Sequence, residues 1–232
     1  MAHGRGTMER SIRGGDARKR RPPLGRPATP RAPSQARGER RVDAILDAAA
    51  AVIRDSGVGG LTVHGVAERA GTSIGSMYHF FPDLEAVIGG LIDRRLQGFE
   101  PVLSALAARE RSEWSRMSAA AAVDTIVTPI FSYLRRHPDV LLLNAAPEAG
   151  PRFGKGREEL KYAGLEIIER ILAARSPSVR PEVRRARAAV LVGAIEGVAL
   201  LNRAQADQAR VVGELRRAMI AYLEAVESAG SR

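Results

Sequence analysis

LTVHGVAERAGTSIGSMYHFF, residues 61–81, is the stretch whose reading decides the fold. Thr62 precedes Val63, Val66, Ala67 and Ala70, an i, i+3, i+4, i+7 spacing that gives a helix one apolar face. Thr is a good N-cap because its hydroxyl accepts from an orphan amide of the first turn. Gly71 then ends the helix, at the position where a left-handed backbone costs little only without a side chain. Ser73, or Thr72, caps a second helix almost at once. In that helix Ile74, Met77 and Tyr78 are spaced to face inward, which leaves Gly75, Ser76 and His79 on the other side. Gly inside a helix costs about 1 kcal/mol against Ala. Close approach of the backbone to DNA is one return for Gly75; a surface glycine on a plain helical hairpin is the other reading. Two short helices about a tight turn, the second rich in small polar side chains, is the layout that sets a recognition helix in the major groove.

The flanks extend the unit. Val42–Gly57, VDAILDAAAAVIRDSG, is an amphipathic helix with Ile45, Ala49, Val52 and Ile53 as its stripe. Phe81-Pro82-Asp83 breaks the recognition helix, and Pro82 suits the first turn of a fourth one. Leu84, Val87, Ile88, Leu91, Ile92 and Leu96 continue a helical face. Three short helices thus form a reading head, and a fourth leads away from it.

On these residues, about 41–95 of the chain resembles the tetracycline-repressor (TetR) family of transcriptional regulators. Thr62, Ala70, Gly71, Ser73, Gly75, Met77, Tyr78, Phe80 and Phe81 occupy the positions of the family pattern. One departure stands out: the family usually carries Lys two residues after the Pro, where it touches a phosphate, and this chain has Leu84. The resemblance implies a ligand cavity among the C-terminal helices and supports a dimer. On DNA, Thr62 and the amides near it are expected to hold a phosphate. Thr72, Ser73, Ser76 and His79 are expected to face the groove, with Tyr78 and His79 also in reach of phosphates. Ile74 suits a thymine methyl, and Gly75 allows close approach. Phe80 and Phe81 are expected to pack the head together.

Charge is unevenly placed. Residues 1–41 hold 12 of the 36 Lys/Arg but only 3 of the 26 Asp/Glu, so nearly all of the net +10 lies in a Pro/Gly/Arg-rich segment. Such a composition buries too little apolar surface to fold, and residues 1–36 are expected to be a disordered basic arm. Basic arms gain affinity for phosphate backbones by counterion release. Within it Arg26, between Gly25 and Pro27, has the narrow shape that enters an A/T-rich minor groove. A merely solvated tail is the alternative.

Beyond residue 83 the sequence reads as helix nearly everywhere. The fourth helix is expected from Pro82 to about Gly98, resuming beyond Pro101. A long helix over Glu113–Arg136 is expected to kink at Pro129. A short apolar helix follows at Asp139–Asn144, then a loop over Ala145–Gly156. Helices over Arg157–Arg175, Pro181–Arg203 and Ala209–Ser228 complete the chain. The Pro181–Arg203 segment is apolar on more than one face, so it is buried on more than one side. Its Val190, Ala194, Glu196, Gly197 and Leu201, with Leu215, Met219 and Tyr222 of the last helix, are the candidate dimer surface, a four-helix bundle with two helices from each subunit. The alternative is that they complete a monomer core. A buried Glu196 needs a partner: an Arg of the other subunit, a cationic ligand, or solvent. One recognition helix reads few bases, whereas two held about 34 Å apart read a palindrome.

For an effector, Trp114, Met117, Phe131, Tyr133 and Tyr162 are candidate apolar lining, and Asp124, Asn144 or Glu196 candidate polar anchors. The plain alternatives are core for Trp114 and Phe131 and surface charge for Asp124. No Cys is present, and the four His, at 3, 64, 79 and 137, have no metal-ligand spacing. No nucleotide fingerprint follows a strand, so neither an enzyme nor a cofactor is expected. The longest apolar run, 188–201, is too short for a membrane span, and no apolar signal segment follows the charged N-terminus.

The expectation is therefore an all-α cytoplasmic protein. Residues 1–36 are its arm, 37–82 a helix-turn-helix DNA-binding domain, and 83–232 a helical effector-binding and dimerisation domain. Its expected function is that of a ligand-responsive homodimeric repressor of a palindromic operator in double-stranded DNA, with an unknown small-molecule effector. The rivals are an architectural DNA-binding protein without effector and a helical interaction module.

Overall fold

A computed structural model of the chain describes residues 32–145, 150–201 and 208–229. Among the described residues there are ten α-helices and no strand. The reading head consists of α1 (Ala32–Ser56), a single 3₁₀ turn (Val58–Gly60), α2 (Val63–Arg69) and α3 (Ile74–Phe80). After it come α4 (Leu84–Ala107), α5 (Arg111–Arg116), α6 (Ala119–Arg136) and α7 (Asp139–Ala145). The chain then forms α8 (Gly150–Arg175), α9 (Pro181–Leu201) and α10 (Gln208–Ala229).

Several boundaries differ from the sequence reading. α1 starts at Ala32 rather than Val42, so residues 32–36 of the expected arm are helical. Pro33 lies in its first turn, where a missing N–H leaves no bond unmade. Residues 1–31, Arg26 among them, lie outside the described residues. Pro82 falls outside α4, because Asp83 is the cap: its carboxylate accepts from the Ala86 N–H at 2.7 Å. α4 runs through Gly98 and Pro101 without a break. The expected long helix is two, because Met117 is extended and Ser118 caps α6, accepting from the Ala121 N–H at 3.1 Å. α6 continues past Pro129 to Arg136, and α8 begins at Gly150, within the expected loop.

The helices close over two apolar cores. The first joins Ile45, Ala49 and Ile53 of α1 to Val66 and Ala67 of α2, Met77 of α3, and Phe81. It also draws in Val87, Ile88, Leu91 and Ile92 of α4 and Leu143 of α7, all beyond the expected boundary at 82/83. The second core gathers α5, α6, α8, α9 and α10, with Leu106 near the end of α4. Leu215, Met219 and Leu223 of α10 are buried in it, as α10 packs on α6 and α9. α4 therefore spans both cores. So does α7: Leu142 and Leu143 pack into the first, Val140 and Leu141 against the second.

Candidate functional site

The reading head is fixed by local hydrogen bonds that its sequence specifies. The Thr62 hydroxyl accepts from the Gly65 N–H at 3.0 Å, capping α2. At the other end the Thr72 N–H donates to the Ala67 carbonyl (3.0 Å) and the Gly71 N–H to that of Glu68 (3.1 Å). Gly71 has φ +61°, so this is the left-handed helix terminus that glycine favours. Two residues later the Ser73 hydroxyl accepts from the Ser76 N–H at 3.1 Å and starts α3. The turn is thus built by adjoining caps, and it sets the direction of α3 against α2.

Met77 alone of the three expected inward residues is buried, at 1% exposure. Ile74 (42%) and Tyr78 (51%) stand in solvent, because a seven-residue helix lying on one core buries only a narrow stripe. Both are thereby available to a duplex. Ser73, Gly75 and His79 are exposed and Ser76 is half-buried. A methyl at Gly75 would meet no protein atom within 4 Å, so the fold itself does not demand glycine there. Thr72 departs from expectation. Its hydroxyl is buried without a hydrogen-bond partner, since the bond to Ala67 folds it back under the turn. Phe81 is buried and Phe80 packs on the first core, as expected. Leu84 also packs on that core.

The sequence reading missed Arg41. From α1 it donates to the Ser76 hydroxyl at 3.0 Å, which puts a guanidinium on the α3 surface. Arg37, also exposed, lies one turn earlier on the same face. The signal was present: only Gly38 interrupts a breaker-free run from Gln35 to Ser56.

A second missed residue is Asp139, at the start of α7 and 0% exposed. Its Oδ2 takes a 2.6 Å bond from Arg95 Nε of α4, and its Oδ1 lies 4.0 Å from an Arg54 nitrogen of α1. The neighbouring Arg94 ties α4 to α1 through Asp47 at 2.8 Å and Asp43 at 3.8 Å. The Tyr133 hydroxyl donates to the Arg95 carbonyl at 2.6 Å, and burial pushes its pKa above the ordinary tyrosine value. The His137 ring lies tilted against Tyr133, 4.5 Å between centroids, and its pKa is lowered, first by desolvation and then by the Arg95 charge.

On the far side of this junction lies a cavity of about 610 Å³ between α4, α6, α7, α8 and α9. Its walls are mainly aliphatic and aromatic: Leu96, Phe99 and Leu103 from α4, Ile126, Ile130 and Leu134 from α6, Val140 and Leu141 from α7, and Ile167, Ile168, Val192 and Ile195 from α8 and α9. Among the described residues polar groups are few: Arg95, Tyr133 and Asn144 near α7, and Glu158, Lys161 and Glu196 from α8 and α9. Tyr133, Asn144 and Glu196 were expected at such a site. Glu196 pairs with Lys161 of its own chain at 3.4 Å.

The other candidates lie elsewhere. Ile126, Ile130, Tyr133 and Leu134 form one stripe of α6, and Asp124 and Phe131 fall off it. Phe131 is core, and Asp124 is exposed, 3.1 Å from Arg216. Met117 packs on the core at the α5–α6 joint. Trp114 borders a separate cavity of about 260 Å³ with Arg109 over its ring, and Tyr162 points to solvent. On the candidate dimer surface, Leu215 and Met219 are buried in the chain's own core. Val190 is exposed; Ala194, Gly197 and Tyr222 are half-buried. The side chain of Leu201 lies outside those described.

A capped helix-turn-helix head, joined through shared helices to an apolar cavity, defines a ligand-responsive class of DNA-binding regulator. The comparisons with known proteins agree. Residues 45–89 match the family model described as bacterial regulatory proteins, tetR family, and residues 118–223 match the tetracyclin repressor-like C-terminal domain. The chain belongs to the TetR family and is a DNA-binding transcriptional regulator. Regulators of this family bind operator DNA, act as dimers with small-molecule effectors, and are generally not enzymes.

Among solved structures it is similar to a transcriptional regulator from Rhodococcus, at 22% identity and TM-score 0.58, covering 80% of this chain and 94% of that one. A TetR-family regulator from Streptomyces coelicolor shares 24% identity at TM-score 0.53, over 80% and 99% of the two chains. A putative fatty acid metabolism regulator from Clostridium perfringens shares 20% at TM-score 0.55, over 77% and 97%. At these identities the likeness is one of fold. No curated protein matches the sequence. No helix among the described residues is long and apolar enough to cross a membrane.

Proposed function

We propose that the chain is a cytoplasmic homodimeric repressor that reads a palindromic operator and releases it when a small molecule fills the cavity. Residues 37–82 bring α3 to the major groove, while residues 83–232 hold the effector and the partner subunit. Ser73, Ser76 and His79 contact base edges, Ile74 a thymine methyl, and Tyr78 and the α2 N-terminus at Thr62 phosphates. Arg41 and Arg37 supply the positive charge that Leu84 does not. Arg26 on the arm adds a minor-groove contact.

The dimer surface is the outer face of α9 with the neighbouring face of α10. Ala186, Ala189, Val190, Gly193, Gly197 and Leu200 lie at i, i+3, i+4, i+7, i+11 and i+14, one exposed or half-buried apolar stripe that carries no charged side chain. On α10, Ala218, Ala221 and Ala225 are exposed, and Tyr222 is half-buried. Small residues let two helix pairs approach closely.

The observation that carries the regulatory reading is the position of α7. Leu142 and Leu143 pack on the head's core while Val140, Leu141 and Asn144 face the cavity. A ligand that moves α7 or Arg95 moves the head, and through it the spacing of the two recognition helices. Ser76→Ala tests the reading of DNA. Its affinity for the operator is expected to fall, with little change on random DNA. Equal losses on both contradict direct readout at α3.

A further inference from the structure

The cavity's charges point to the class of effector. Among the described residues its lining carries two cations, Arg95 and Lys161, and each already faces a carboxylate. Arg95 bonds the fully buried Asp139 at 2.6 Å, and Lys161 lies 3.4 Å from Glu196. The remaining charge among the described lining residues, Glu158, is negative and exposed, where water screens it. Counting Asp139, three carboxylates among the described residues thus stand against two cations. A ligand carboxylate entering here would lose its hydration without gaining an uncommitted cation, and an unpaired buried ion is costly. A ligand cation gains little either, because Glu196 is already paired and Glu158 sits in water. What the walls do offer is apolar surface and, near α7, neutralised donors: Arg has five N–H groups, and its bond to Asp139 uses one.

We infer that the effector, under the regulatory reading above, is an uncharged, largely aliphatic molecule carrying a hydrogen-bond acceptor such as an ester or ketone oxygen. The volume of about 610 Å³ suits a molecule of that kind and of drug-like size. Its oxygen lies toward Arg95 and its chain between α4, α6 and α8. The selection against anions is set by the two ion pairs, Arg95–Asp139 and Lys161–Glu196.

The test titrates the full chain with three probes of one chain length: methyl dodecanoate below its aqueous solubility limit, and dodecanoate and dodecyltrimethylammonium below their micellar concentrations. Calorimetry is expected to give the ester at least about a tenfold advantage over both ions. Glu196→Gln frees Lys161 and is expected to raise dodecanoate affinity by about threefold, narrowing the ester's advantage over it. Ile130→Trp and Ala199→Trp fill the cavity from two walls, and whichever of them keeps its helical circular dichroism is expected to lose ester binding by more than about tenfold. Preference for either ion, no binding of any probe, no response of dodecanoate to Glu196→Gln, or ester binding that survives in the filled variants overturns the proposal. Operator binding measured on the same samples stands apart. If it persists while the ester fails, the class of effector is wrong; if it is missing from the wild type, the regulatory reading itself has failed.

Discussion

Replacing Asp139 by Ala puts the junction between cavity and reading head to a quantitative test. The carboxylate is 0% exposed and bonds Arg95 at 2.6 Å, and the Arg95 side chain is itself only 11% exposed. Removing one partner of such a pair strands the other charge, a loss of about 3–5 kcal/mol. Arg54, 4.0 Å away and well exposed, adds little to this. Domains are stable by about 5–15 kcal/mol, so the change is a large share of the total. Urea denaturation followed by circular dichroism reads it as a lower midpoint at unchanged slope. The double variant Arg95→Met with Asp139→Leu removes both charges at similar volume, and its stability is expected near wild type. It separates stability from signalling, because a folded double variant keeps the operator-bound form but loses its response to ligand. Coupling of this kind is typically about 1–3 kcal/mol, or 5–150-fold in operator affinity. A single variant that loses less than about 1 kcal/mol, or a double variant as unstable as the single one, refutes the reasoning.

Three further outcomes follow from the geometry. Gly75→Ala is expected to stabilise the fold by up to about 1 kcal/mol, since its methyl meets no protein atom within 4 Å, yet to weaken operator binding by crowding the duplex. Thermal melts and binding curves on one preparation check both signs, and unchanged operator affinity removes the close-approach role. Arg175 is nearly buried and donates to Glu227 and to the Trp114 and Met117 carbonyls, so Arg175→Ala is expected to cost about 3–5 kcal/mol by denaturant titration. His137 has a lowered folded pKa against 6.5 for the free group, so the unfolded chain takes up its proton first as pH falls. Stability present above about pH 6.5 is thus lost on acidification toward the folded value, and His137→Phe is expected to flatten the denaturation midpoint between about pH 7 and 5. An unaltered slope contradicts this.

Local chemistry made the reading head legible. Thr62, Gly71 and Ser73 are signals carried by single residues, and each forms the cap its type implies. The start of α1 was obscured because an Arg/Gln/Glu-rich helix with an exposed surface has the composition of a tail. The α5–α6 break was hidden because Ser118 sits inside a run with helical spacing. Long-range placement was harder. Leu215 and Met219 form a clean apolar stripe, but periodicity does not say whether a stripe meets its own chain or another; the chain's own α6 and α9 fill that role. Aromatic and charged residues were favoured as cavity lining by their type, whereas the walls are mostly aliphatic residues gathered from five helices. Asp139 gave no sign of itself, since a first-turn Asp is ordinarily an exposed helix-start residue. Only the fold places it between Arg95 and Arg54.

Selection of bound fragments from random double-stranded DNA by the full chain reads the central claim directly. Two recognition helices presented by a symmetric dimer are expected to enrich a palindrome whose half-sites are centred about 34 Å, one duplex turn, apart or a multiple of it. Enrichment of a single asymmetric half-site, or retention governed by salt with no sequence enriched, contradicts the account.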